Sequence, residues 1–94
     1  MTMSYRDRDT ERFEAGVKLL QWEPIRRQAD KRLRILNAAK SLSDLAALHS
    51  NRLEALKGSR RGQYSIRIND QWLTCFHWPT NDPGPSNVEI VDYH

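Results

Sequence analysis

The chain has 94 residues, enough for one modest core and too few for two domains, so residues 1–94 are expected to form a single unit. A formal net charge of +3 and a pI near 9.4 make it mildly basic, which is compatible with a polyanionic partner without requiring one. A hydrophobic content of 38%, with three Trp, three Tyr and two Phe, excludes a disordered chain, and the lone Cys75 excludes an intrachain disulfide and a Cys-rich zinc site.

No run of about 18 apolar residues is present to cross a membrane. The opening "MTMSYRDRDTERF" lacks the apolar centre of a secretory signal, so a reducing cytoplasm is the expected location. From Asp9 to Gly16 helix formers carry a short amphipathic pattern, with Phe13 and Val17 as its apolar positions and Gly16 as the stop. From Pro24 to Lys40 the apolar residues Ile25, Ala29, Leu33, Leu36 and Ala39 recur at spacings of three and four. Pro24 suits the first turn of that helix. Its cations, Arg26, Arg27, Lys31, Arg32 and Arg34, read most simply as the solvated side of an amphipathic helix.

"SLSDLAAL" places Asp44 three residues after Ser41, an arrangement like a capping box, and predicts a short third helix or turn. After Gly62 the period changes to two. Tyr64, Ile66 and Ile68 alternate with Ser65, Arg67 and Asn69, which predicts a strand with Arg67 on the pleat away from the tyrosine and isoleucines. Asn69, Asp70 and Gln71 supply a turn, and "WLTCFHW" is large or apolar on both faces, as a central strand requires. "PTNDPGPS" is a loop by its Pro and Gly content, and Val88 to Tyr93 forms a third strand returning antiparallel. Helices first and a meander afterwards predict an α+β fold, with N-terminal helices packed on a small antiparallel sheet.

The sequence contains no Gly-rich phosphate loop, no His/Cys metal spacing and no serine nucleophile motif, so neither a metal nor a cofactor is expected. Two stretches remain, "NRLEALKGSRRGQYSIRIND" and the terminal "VDYH". Cleaving RNA without a metal needs a group to take the 2′-hydroxyl proton, one to protonate the leaving 5′-oxygen, and cations for the charged phosphorane. These stretches hold candidates for each. Arginine suits the last role because its guanidinium stays ionised and meets phosphate oxygens in pairs. His94 titrates near neutral pH by type. Taken on pattern alone, Asp92, Tyr93 and His94 are a strand end and "KGSRRG" is a solvated turn. The catalytic alternative requires the last strand to bring Asp92 and His94 towards Arg67.

"RLEALKGSRRGQYSIRINDQW", followed by a strand and "VEIVDYH", resembles the HigB-like branch of the RelE/ParE toxin superfamily, over nearly the whole chain. The resemblance implies a RelE-like, microbial-ribonuclease-like fold and metal-independent endoribonuclease cleavage of mRNA in the ribosomal A site. It implies neutralisation by a HigA-like helix-turn-helix antitoxin, with operator DNA contacted only through that antitoxin and no membrane partner. Carried over by position, Asp92, Tyr93 and His94 match the family's terminal catalytic or substrate-positioning group, and Lys57 lies in its "LKG". Arg67 is the candidate for transition-state charge, and Arg60 and Arg61 join Lys57 as candidate phosphate contacts.

Two positions depart from the pattern. Some relatives carry histidine where this chain has Glu54, which could still accept a proton. An arginine is expected directly after the strand tryptophan, yet Trp72 is followed by Leu73, so attenuated cleavage is implied. The alternatives are a ParE-like gyrase inhibitor without enzymatic activity and an inactive toxin serving only as the antitoxin's corepressor.

Overall fold

A computed structural model describes residues 4–79 and 82–92. The first helix, α1 (Arg8–Glu14), starts where the Asp7 carboxylate accepts a hydrogen bond from the Thr10 amide at 2.9 Å, and buries Thr10 and Phe13. It ends earlier than the amphipathic pattern suggests. Gly16 turns the chain at φ +100°, so Val17 falls past the helix and is exposed instead of joining the apolar stripe.

Pro24 opens a single 3-10 turn, Glu23–Ile25, rather than an α-helical one, and α2 (Arg26–Ala38) follows directly. Ala29, Leu33 and Leu36 form its buried stripe, while Arg27, Lys31 and Arg34 remain exposed. Two cations of that cluster are not merely solvated. The Arg26 guanidinium lies 4.1 Å over the Phe13 ring, donates to the carbonyls of Phe13 and Val17, and pairs with Glu23 at 3.1 Å and Asp30 at 3.6 Å. It ties the end of α1 to the start of α2. Arg32 donates to Asn51 Oδ1 at 2.7 Å, and the buried Asn51 amide in turn donates to the Leu45 carbonyl at 3.1 Å. The third helix, α3 (Leu42–Ala47), is capped as expected by the Ser41 hydroxyl, which accepts from the Asp44 amide at 3.3 Å. The return bond reaches one residue further back, with Asp44 accepting from the Lys40 amide at 2.9 Å.

The sheet consists of β1 (Glu54–Ala55), β2 (Gln63–Arg67), β3 (Trp72–His77) and β4 (Ser86–Asp92), antiparallel throughout and ordered β1-β2-β3-β4. The strand β1 is too short to show a period and adds an edge that the sequence did not predict. The hairpin between β2 and β3 closes as the Asn69 side chain accepts from the amides of Gln71 and Trp72, at 2.8 and 2.9 Å. The strand β3 is interior, as its two apolar faces require. One pleat of the sheet, with Ile66, Phe76, Val88 and Ile90, faces the helices and completes the core with Phe13, Trp22, Leu33, Leu36 and Leu45. Phe13 and Trp22 meet edge to face at 5.3 Å, and Trp22 meets Trp72 likewise at 6.4 Å.

The register of β4 shifts between Cys75 and His77, where Asn87 adopts φ +52° and β4 starts two residues before the Val88 boundary the sequence suggested. The outer edge of β4 is also occupied. Val88 donates to the Ser4 carbonyl at 3.0 Å and accepts from the Arg6 amide at 2.9 Å, so the N-terminal segment pairs parallel to β4 at Tyr5. Among the described residues, no helix is long and apolar enough to cross a membrane.

Candidate functional site

The pleat facing away from the helices carries the candidate chemistry. Antiparallel register puts Glu54, Ser65, Cys75 and Glu89 in one row across the four strands, and Arg67, Leu73 and Val91 in the next row on the same face. Glu54 and Arg67 are thereby diagonal neighbours, which in such a pair lie about 7–8 Å apart. Glu54 is exposed at the sheet edge. Arg67 is half-buried and has the Asp70 carboxylate 3.9 Å from its Nη1. Leu73, the residue standing where an arginine was expected, occupies the position directly between Arg67 and Val91.

Between β1 and β2 the chain turns through Gly58, at φ +65°, and Gly62, at φ +94°, with a 3-10 turn at Gly58–Arg60. Lys57 and Arg61 are exposed on this loop. Arg60 is not a free cation: its Nη1 lies 3.1 Å from Glu89 Oε2 and 3.2 Å from Gln63 Oε1, so it reaches from the loop to the far strand. Glu89 also receives Arg6, whose Nε is 3.4 Å from the same oxygen. Beneath this group the Cys75 thiol is buried, and burial pushes its pKa up to about 11; Arg60 opposes that rise and Glu89 adds to it.

Asp92 ends the described part of β4 in register with Trp72, on the pleat alternate to Val91, and its Oδ2 accepts from Gln71 Nε2 at 3.3 Å. The last strand does not lie beside the strand of Arg67, as the catalytic alternative asked, because β3 separates them. Tyr93 and His94 lie outside the described residues. Sequence reasoning thus found Glu54 and Arg67 separately, and their juxtaposition depends on the unpredicted β1. It missed Glu89 altogether. The available signal was an acid inside "VEIV", on a strand whose neighbour β3 is apolar on both faces, where an unpaired carboxylate is costly.

Residues 4–94 match the family described as HigB-like toxin, the RelE-like toxin of the type II toxin–antitoxin system HigB. The chain is also similar to Toxin HigB-1 of Vibrio cholerae serotype O1, with 35% identity over 80 residues that cover 83% of this chain and 84% of that toxin. The family match takes in the row residues and the cationic loop. The chain belongs to the HigB-like family of RelE-like toxins of type II toxin–antitoxin systems.

Proposed function

We propose that this toxin is a ribosome-dependent endoribonuclease that cleaves mRNA in the A site by metal-independent acid–base chemistry, attenuated by Leu73. The observation that carries this is the placing of Glu54 and Arg67 as diagonal neighbours on the pleat that faces away from the helices, beside the Lys57–Arg61 loop. In the proposed reaction the substrate 2′-oxygen attacks the adjacent phosphorus as its proton passes to a base, for which Glu54 and His94 are the candidates. The bond from phosphorus to the 5′-oxygen then breaks, and an acid of the terminal group protonates the leaving oxygen, for which Tyr93 and His94 are the candidates because Asp92 lies on the alternate pleat. A 2′,3′-cyclic phosphate and a 5′-hydroxyl result, with proton count conserved. Arg67 faces the charge that grows on the phosphorane oxygens, where a fixed cation stabilises the transition state more than the substrate. Lys57 and Arg61 hold flanking phosphates, and Arg60 adds its partly exposed cation to the same loop.

As a type II toxin the chain is expected to have an antitoxin partner. A HigA-like helix-turn-helix protein fits that role, with operator DNA reached only through it. The test is 5′-end mapping of mRNA on programmed ribosomes, comparing the unaltered protein with Glu54→Gln, Arg67→Met and His94→Ala. Cleavage between A-site nucleotides that is lost in Arg67→Met and His94→Ala supports the nuclease; equal cleavage by all versions removes these residues from the mechanism. Leu73 favours one second possibility, a toxin fold acting only as corepressor, which predicts antitoxin binding without cleavage by any version.

A further inference from the structure

We propose that Glu89 is a positioning residue that holds the cationic loop over the sheet face turned away from the helices by gripping Arg60, with Arg6 as its second ligand. This rests on the nuclease reading only for its catalytic consequence; the grip itself stands on geometry. Glu89 is 8% exposed, in the middle of β4, and both of its described ion-pair partners come from segments distant in the chain. Arg60 lies 29 residues away in sequence and crosses the face to reach it, donating to Gln63 with the same Nη1. A carboxylate withdrawn from water in this way needs such donors, and charge-assisted bonds are about twice as strong as neutral ones.

Among the described residues the loop has few other hydrogen bonds to the sheet. Leu56 donates to the Gln63 carbonyl at 2.8 Å at the loop's base. The bonds from Arg60 to Lys57 and from Arg61 to Gly58, at 3.3 and 3.1 Å, are internal to the loop. Lys57 and Arg61 are exposed, and the glycines at 58 and 62 turn the segment through positive φ without a side chain to anchor it. Arg60 is therefore the spoke between loop and sheet, and Glu89 is where the spoke ends. The Arg60 side chain is 40% exposed, whereas that of Glu89 is 11% exposed, so the carboxylate fixes the geometry and the arginine follows it. Arg6 brings the N-terminal segment to the same oxygen, next to its backbone pairing with Val88. One carboxylate thus joins three segments: the N-terminal segment, β4 and the loop.

The experiment is hydrogen–deuterium exchange of the full chain, unaltered and as Glu89→Gln, Arg60→Met, Arg60→Lys and the Glu89→Gln/Arg60→Met double variant, with ribosome-dependent cleavage measured on the same samples. Release of one charge-assisted contact should speed exchange of residues 56–62 by roughly tenfold, with β3 amides unchanged as the control for global unfolding. Arg60→Lys should restore part of the protection, and the double variant should match the single ones, because both remove the same tie. Where cleavage occurs, KM should rise severalfold in Glu89→Gln while kcat stays close to that of the unaltered chain.

Unchanged exchange at 56–62 in Glu89→Gln overturns the proposal. So does a lower KM in that variant, since a liberated Arg60 would then be a direct phosphate contact. Faster loop exchange with no cleavage by any version upholds the grip and removes the nuclease reading instead.

Discussion

Leu73→Arg offers the sharpest perturbation of the site, because the residue sits directly opposite Arg67 on the open pleat and is half-buried. Opposed residues in an antiparallel pair have Cβ atoms about 4.5–5.5 Å apart, so guanidinium groups at 67 and 73 can meet one phosphorane from adjacent strands. A donor aimed at developing charge is worth about 100-fold or more in rate, or ~2.7 kcal/mol, and this gain in kcat is expected for Leu73→Arg. The substitution also has a stability cost. Two like charges facing across the strands cost up to about 1 kcal/mol. Withdrawing a half-buried leucine costs roughly another 1 kcal/mol. A Tm lower by roughly 5–15 °C follows for a domain of this size, which leaves the protein folded at assay temperature if its Tm lies in the usual mesophile range.

Single-turnover cleavage of mRNA on programmed ribosomes reads the rate, and Leu73→Gln separates charge from polarity. The gain should shrink when Arg67→Met is added, since two cations sharing one phosphate are coupled. A folded Leu73→Arg protein that is no faster than the unaltered chain refutes the reasoning, as does a Leu73→Gln protein that is equally fast.

Other outcomes follow from the packing and the buried thiol. Leu36 is fully buried on α2, so Leu36→Ala should lower stability in urea by about 2–5 kcal/mol, the range for an aliphatic side chain removed from a core. Thr74 lies between Ile66 and Ile90 on the core-facing pleat with its hydroxyl buried and without a hydrogen-bond partner among the described residues. Thr74→Val should therefore raise stability by about 1 kcal/mol, seen as a Tm increase of roughly 4–8 °C. Cys75 has its pKa raised from 9.0 to about 11, so folding favours the neutral thiol. Its contribution is complete below pH 9 and disappears as pH rises through about 11, and Cys75→Ser or Cys75→Ala should flatten that alkaline loss in urea titrations. In the same way, thiol-reactive probes should label the folded protein slowly at neutral pH and faster only towards the alkaline limit.

The main strands and α2 were legible because each carries its own period: two for "YSIRI", and three and four for Ile25 through Leu36. The Asn69 turn was legible because an asparagine side chain can close its own hairpin. What escaped was set by distant partners. Two residues, Glu54 and Ala55, have no period, and they become β1 only by pairing with Ser65 and Tyr64. Arg26 looks like any other helix cation until the α1 carbonyls and the Phe13 ring come within reach. The same limit applies to the site. Residue types pointed to Glu54 and Arg67, but their common face follows from register, and the pairing of Arg60 with Glu89 from tertiary reach alone. The adjacency of the terminal strand to Arg67 that the catalytic alternative required is absent, because the meander the sequence predicts puts β3 between them.

The pairing of Tyr5 with Val88 also bears on when this toxin can become itself during synthesis. A nascent chain carrying α1 through β3 has made most of its core, yet the places of Val88 and Ile90 are empty and the outer side of β3 has no neighbour. The segment around Tyr5, made before α1, waits for β4 before it can find its backbone partners. Loop closure over such a separation comes late in folding because its entropy is lost before the contacts form. The open pleat, with Glu54 on one outer strand and Glu89 on the other, is assembled only when β4 arrives. A chain elongated only through β3 therefore presents no finished face, and it is the arrival of β4 that completes it.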